Sequence, residues 1–266
     1  MATEKRARKK EHRDAVLAQR EAALRKRRIA RLGGVVLVLA AIVVFAVVSG
    51  ADDDDAGEDG KQAAEETAEP GAVACGAEAP PEPDPQQYDE PEQVLEEGVD
   101  YRAVLETSCG TIEMDLFEDE APVTVNNFVF LATEGFYDGL TFHRIEPTFV
   151  IQGGDPEGNG QGGPGYEIED ELWAKPEEYT YGAVAMANAG ADTGGSQFFV
   201  IVHEPKDQPA GLQPAYSMFG RVDQSSYETL EAIKSVETLG PNAPDQSQMS
   251  VPVTPVYIES VEIIEA

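Results

Sequence analysis

The chain has 266 residues, room for one ordinary domain and its extensions, and carries a formal net charge of −31 with only two cysteines. An acidic surface excludes a nucleic-acid partner, because phosphate binding needs the opposite sign, and two cysteines without a CxxC spacing give no metal-site signal. The charge is segregated: residues 1–31 hold 12 Lys/Arg against 4 Asp/Glu, whereas residues 32–266 hold 7 against 46. Such asymmetry marks a boundary between compartments or partners.

Residues 1–31 read as a basic cytoplasmic segment whose Lys and Arg rest on anionic headgroups. Leu32 to Ala51 is a run of 20 residues without a charge. At about 1.5 Å per residue it spans the roughly 30 Å hydrocarbon core of a bilayer. Arg25, Lys26, Arg27, Arg28 and Arg31 precede it and Asp52 to Asp55 follow it. The positive-inside tendency therefore predicts a single-pass anchor, with the N-terminus cytoplasmic and everything after residue 51 outside. A cleaved signal peptide is the alternative, with Val48 and Gly50 as its small-residue cleavage pattern.

Residues 52–97 are acidic and rich in Pro and Ala. They hold too few large apolar residues to offset ordering entropy, so a disordered, self-repelling linker is expected. Cys75 and Cys109 both fall on the predicted outer side. An even count in an oxidising compartment permits a disulfide, which would tie the linker onto the domain; two unpaired thiols are the alternative.

The folded domain is expected over 98–266. Ile112, Met114 and Leu116 alternate with Thr111, Glu113 and Asp115, as in a half-buried strand. Pro122 opens a helix whose apolar face is Val125, Phe128, Val129 and Ala132, with Gly135 as its stop. Short strands follow near 141–144, 149–152, 182–187, 198–202 and 217–222. Ser225 and Glu228 have the capping-box spacing before a second helix carrying Leu230 and Ile233. The last strand, 256–264, shifts its alternation midway, as a bulge would. Many short strands with two helices predict a mostly β fold, a closed antiparallel barrel with the helices over its open ends.

Three separated motifs carry the chemistry. They are TFHRIEPTFVIQGGD at 141–155, MANAG at 186–190 and SQFF at 196–199. Together they place one fixed cation, two amide side chains and two aromatic rings on a small β domain. In these motifs the chain resembles the cyclophilins, the peptidyl-prolyl cis-trans isomerase family, over roughly residues 101–266. The resemblance implies an eight-stranded barrel with two capping helices, a shallow surface groove, proline-containing polypeptides as substrates and no cofactor.

That reaction needs no nucleophile. Resonance stiffens the peptide bond behind a barrier of about 18–20 kcal/mol, and a catalyst need only bind the twisted amide better than either planar form. Arg144 is the residue for that role. It stays charged, and its planar fork can donate to the pyramidal proline nitrogen or the neighbouring carbonyl oxygen. A surface salt bridge is its bland alternative in so acidic a domain. The resemblance implies that Phe149, Val150, Phe199 and Leu212 seat the proline ring, and that Gln152 and Asn188 hold the substrate backbone and orient the arginine. By the same resemblance Ala187, Ala189 and Gln197 line the groove, and Tyr216, where many members have His, caps the pocket. His143 should point away from Arg144 in an extended segment and give structural support.

Two departures stand out. The loop EPKDQPAG before Leu212 lacks the tryptophan of drug-sensitive members, which implies weak binding of cyclosporin-type macrocycles, and Thr148 replaces a residue that is often Gly. Gly158 to Gly163 satisfies G-x-G-x-x-G, but Pro164 and Gly165 follow and no helix begins, so a nucleotide site is not expected. The leading expectation is a monomeric, membrane-anchored isomerase acting on X–Pro bonds of extracytoplasmic proteins. A non-catalytic proline-binding or chaperone module is the alternative.

Overall fold

The structure, a computed structural model, describes residues 72–84 and 86–265. The basic segment 1–31, the apolar run 32–51 and the first part of the linker lie outside the described residues. Among the described residues no helix is long and apolar enough to cross a membrane.

Alternation builds the sheet. Tyr101–Thr107 (β1) and Gly110–Leu116 (β2) form a hairpin, each burying every second residue. The remaining strands are Arg144–Ile145 (β3), Val150–Gly153 (β4), Ala183–Met186 (β5), Phe198–Ile201 (β6), Met218–Val222 (β7) and Ile258–Glu265 (β8). They pair in the order β3-β4-β6-β5-β7-β2-β1-β8, every ladder antiparallel. The bulge expected in the last strand is present: β8 slips register against β1 between Ser260 and Ile258.

The expected ring of ladders is not closed. The sheet is a curled half-barrel with β3 and β8 as its edges. Strand β3 is two residues long, and the chain entering β8 carries Pro252 and Pro255, which have no N–H to donate to a ladder. Individual bonds lace the seam instead. Gly139 N donates to Ile258 O (2.8 Å), Ile258 N to Leu140 O (2.7 Å), Phe142 N to Val256 O (2.9 Å) and Ile145 N to Ser250 O (2.7 Å).

Four strands bury side chains on both faces. Ile151, Phe198, Val200, Val184, Met186 and Phe219 point into the main core with Phe128, Phe142 and Leu131. Val150, Phe199, Ile201, Ala183, Ala185 and Met218 point to a second apolar cluster on the other face. Period-two alternation forces this split, since successive residues of a strand face opposite sides.

Pro122–Glu134 (α1) starts at its proline and stops at Gly135, which adopts φ 76° and donates its N–H to Ala132 O. Its burial exceeds the expected face: Thr124 through Ala132 are all buried. Residues 72–97 cover Asn126 and Phe130, and they correct the linker reading. They pack on the domain as a strap. Cys75 is disulfide-bonded to Cys109 in the β1–β2 turn, Tyr88 lies edge-on against Phe130 at 5.1 Å, and Asn126 accepts from Val94 N and donates to Glu92 O. The loop before β5 covers Thr124 through Glu171 and Asn127 through Tyr166.

Tyr227–Lys234 (α2) also begins differently from expectation. Asp223, not Ser225, accepts the first free amide, through a bond from Ser225 N (2.8 Å). Ser226 turns its hydroxyl to Glu113 N and ties the helix start to β2. The capping-box pair is displaced because a short 3-10 turn, Gln224–Ser226, precedes the helix.

Candidate active site

A lateral row of side chains crosses the sheet. Arg144 on β3 is the cross-strand partner of Gln152 on β4, Gln152 of Phe199 on β6, Phe199 of Ala185 on β5, and Ala185 of Met218 on β7. Cross-strand partners project to the same face. The guanidinium, the amide and the aromatic ring therefore share one surface, and the second apolar cluster is its floor. Phe149, Ala187, Leu212 and Tyr216 pack half-buried against this cluster. The Tyr216 ring stands at 90° to Phe199, 5.2 Å away. The loop that brings Leu212 and Tyr216 is held by Tyr179 Oη donating to Tyr216 O (2.6 Å) and Asn188 Nδ2 donating to Ala215 O (2.8 Å).

A chain of amides runs along the rim. Arg144 Nη1 donates to Gln152 Oε1 (3.2 Å), Gln152 Nε2 to Gln197 Oε1 (3.0 Å), and Gln197 Nε2 to Gly162 O (2.9 Å). Each glutamine presents its oxygen to one neighbour and its nitrogen to the next, so the orientation of each is fixed by the others. Asn188 serves the groove wall rather than the arginine, and Ala189 is exposed beside it with its N–H on Thr193 Oγ1.

The arginine and its bland alternative coexist. Arg144 Nη2 donates to Glu146 Oε1 at 2.8 Å, an ion pair whose two side chains are each 37% exposed. Ser250 Oγ donates to the same oxygen at 3.0 Å. Partial burial pushes the Glu146 carboxyl up, but the bond and charge of Arg144 and the Ser250 hydroxyl outweigh it and hold the group below its ordinary range.

His143 is buried and outside the groove cluster, and its Nδ1 has no hydrogen-bond partner. Burial holds its pKa below the ordinary imidazole value, against the opposing charge of Asp155 and with the added repulsion of Arg144. The Gly-rich loop is organised by Asp155, whose carboxylate accepts from Glu157 N, Asn159 N and Gly160 N. Those are amides a phosphate would need, and they are already taken by an anion. Among the described residues no cluster of three or more His, Cys, Asp or Glu is placed to hold a metal ion.

Sequence reasoning missed Glu146, Ser250 and the Gly162 carbonyl. Glu146 carried a signal, since two residues on from Arg144 is the same side of an extended chain. Ser250 carried none, because the chain that delivers it has neither helical nor strand period.

A family profile described as cyclophilin type peptidyl-prolyl cis-trans isomerase/CLD matches residues 102–263. A peptidyl-prolyl cis-trans isomerase of Synechococcus elongatus is 47% identical over 135 residues, covering 51% of this chain and 88% of that protein. Peptidyl-prolyl cis-trans isomerase B of Bacillus subtilis is 56% identical over 111 residues, covering 42% and 75%. A crystal structure of a cyclophilin type isomerase of Cryptosporidium parvum superposes with a TM-score of 0.54 at 28% identity, covering 63% of this chain and 99% of that one. A second crystal structure of that same isomerase, obtained in the presence of the dipeptide Ala-Pro, superposes with a TM-score of 0.53 at 28% identity, covering 62% and 99%.

Proposed function

This chain belongs to the family of cyclophilin-type peptidyl-prolyl cis-trans isomerases, and we propose that Arg144 is the group through which it eases rotation about X–Pro bonds. The observation that carries the proposal is the lateral row, which sets a charged fork beside an apolar floor. A proline ring on Phe149, Phe199 and Leu212 leaves its imide under the guanidinium. As the amide twists, conjugation is lost and the nitrogen recovers its lone pair. Arg144 donates to that nitrogen, or to the adjacent carbonyl oxygen, more strongly than to either planar form.

Magnitudes limit what one bond can do. A hydrogen bond to a charged group contributes about 1.5–3 kcal/mol, which corresponds to about 10- to 150-fold in rate. The apolar seat must supply the rest by keeping water off the imide, whose resonance water stabilises. Gln152 and Gln197 hold the backbone on either side of the proline. The Ala-Pro dipeptide in the Cryptosporidium crystal experiment supports the same class of ligand here.

The reading extends to location. Residues 32–51 form a transmembrane anchor and the isomerase domain works outside the membrane on secreted polypeptides, where proline isomerisation limits folding. The charge asymmetry supports this, as does a Cys75–Cys109 disulfide, a bond that persists in oxidising compartments.

Two experiments test the proposal. The chain should accelerate cis–trans exchange of a proline-containing peptide well above the uncatalysed rate. Binding of the peptide without acceleration establishes the proline-binding module instead. Protease added to intact cells should remove the domain while sparing residues 1–31, and a domain protected until the cells are lysed contradicts the external location.

A further inference from the structure

The arginine is held at both ends, and only one of the two holds belongs to the amide chain along the groove. Nη1 is fixed by Gln152 Oε1 and Nη2 by Glu146 Oε1. These two points, with the side-chain stem joined at Nε as the third, determine the plane of the rigid fork, and three of its five N–H groups remain for a substrate. Resting on the assignment of Arg144 above, we propose that Glu146, steadied by Ser250, is a positioning residue that presents the guanidinium in the plane the twisted imide requires.

The carboxylate is itself firmly placed. Glu146 sits in the turn between β3 and β4, where its N–H donates to Val150 O (2.8 Å) and its carbonyl accepts from Phe149 N (2.9 Å). The same turn therefore carries the arginine's partner and the groove ring Phe149. The carboxylate oxygen that takes Arg144 Nη2 is also met by Ser250 Oγ (3.0 Å), while the Ser250 carbonyl accepts from Ile145 N (2.7 Å). Both groups of Ser250 thus grip β3 and its turn, and they come from the chain that laces the half-barrel's seam. The closing segment of the fold reaches the active arginine through one carboxylate.

Stability is not what the pair is for. An ion pair with both partners more than a third exposed contributes about 0–1 kcal/mol. Its effect is on orientation: a free arginine side chain samples many rotamers, and each must be given up when the fork engages the imide. Fixing Nη2 beforehand removes that loss from the catalytic step. The carboxylate engages Nη2 and Gln152 engages Nη1, so neither takes up the three donors that remain.

The test is kinetic and uses the whole chain. Glu146→Ala should lower kcat about 3- to 10-fold, leave KM within about twofold and leave the melting temperature unchanged. Glu146→Gln retains an acceptor for Nη2 and should recover most of the lost rate, an outcome that a purely electrostatic role does not give. Ser250→Ala should act in the same direction by a smaller factor. An Ala variant as active as the parent, or more active because the arginine has been released from a competitor, overturns the inference while leaving Arg144 in place. A parent chain without isomerase activity, or an Arg144→Ala variant of full activity, overturns the assignment of Arg144 instead.

Discussion

The groove wall and the strap are held in opposite ways. The wall is four neighbouring strands, β3, β4, β6 and β5, whose side chains stand in one row, so ladder bonds fix every member's position. The described residues of the strap over 72–97 form no strand and no α-helix. It is attached by a disulfide, an aromatic edge and single bonds: Tyr88 N to Pro164 O, Gln87 Nε2 to Gly163 O, and Asn126 Nδ2 to the strap's own Glu92 O. The wall makes chemistry possible because its groups cannot drift apart. The strap makes the fold durable because it covers Phe130 and Asn126 on the outer side of α1, which the sheet does not reach.

Substitutions should separate the two regions cleanly, the strap through stability and the wall through rate. The largest effect belongs to the disulfide. Its loop of 34 residues contributes about 3–4 kcal/mol on the chain-entropy account. Cys75→Ser with Cys109→Ser should lower denaturant stability by about that amount while the folded variant keeps its kcat/KM; a parallel loss of activity at full folding breaks the division. Next is Tyr88→Ala, which removes an aromatic contact from Phe130 and should cost about 1–3 kcal/mol in the same measurement. A fragment beginning at residue 98 combines both losses and is expected to melt earlier than one beginning at residue 72.

On the wall, Phe149→Ala should raise KM for a proline peptide about 5- to 10-fold and change stability little, since the ring is only half-buried. An unchanged KM puts the proline ring elsewhere. The smallest effect is at His143. Its pKa is lowered in the folded chain by burial, so the unfolded chain takes up a proton first as pH falls through the ordinary value of 6.5. Stability from this group is complete above pH 6.5 and declines below it. His143→Gln should flatten that part of the stability–pH curve; an identical slope shows that the imidazole does not titrate on unfolding.

The wall was legible because strands announce themselves. Phe149, Gln152 and Phe199 stand in short apolar runs whose period fixes the face, and the motifs around them lie at recognisable spacings. The half-barrel's open seam was not legible, although Pro252 and Pro255 were in plain sight: a proline forbids a ladder bond without saying which strand goes unpaired. The strap was read as linker because composition reports how much apolar surface a segment owns, and a segment that borrows its burial from a neighbour owns little. The missing clue lay in α1. Phe130 falls outside the face of Val125, Phe128, Val129 and Ala132, and a large ring on the outer side of a helix calls for a cover. The bulge in β8 was visible as a slip in alternation, whereas the displaced helix start was hidden by Asp223, two residues upstream of the expected cap.

The central claim is that the guanidinium of Arg144 acts on the rotating bond and not on binding. Exchange spectroscopy on a proline peptide saturating the enzyme reads both at once, as the on-enzyme cis–trans rate and the dissociation constant. For Arg144→Ala the account predicts an on-enzyme rate at least about tenfold lower, the loss of one charge-assisted bond, with affinity changed by less than about threefold. An on-enzyme rate equal to that of the parent chain contradicts it.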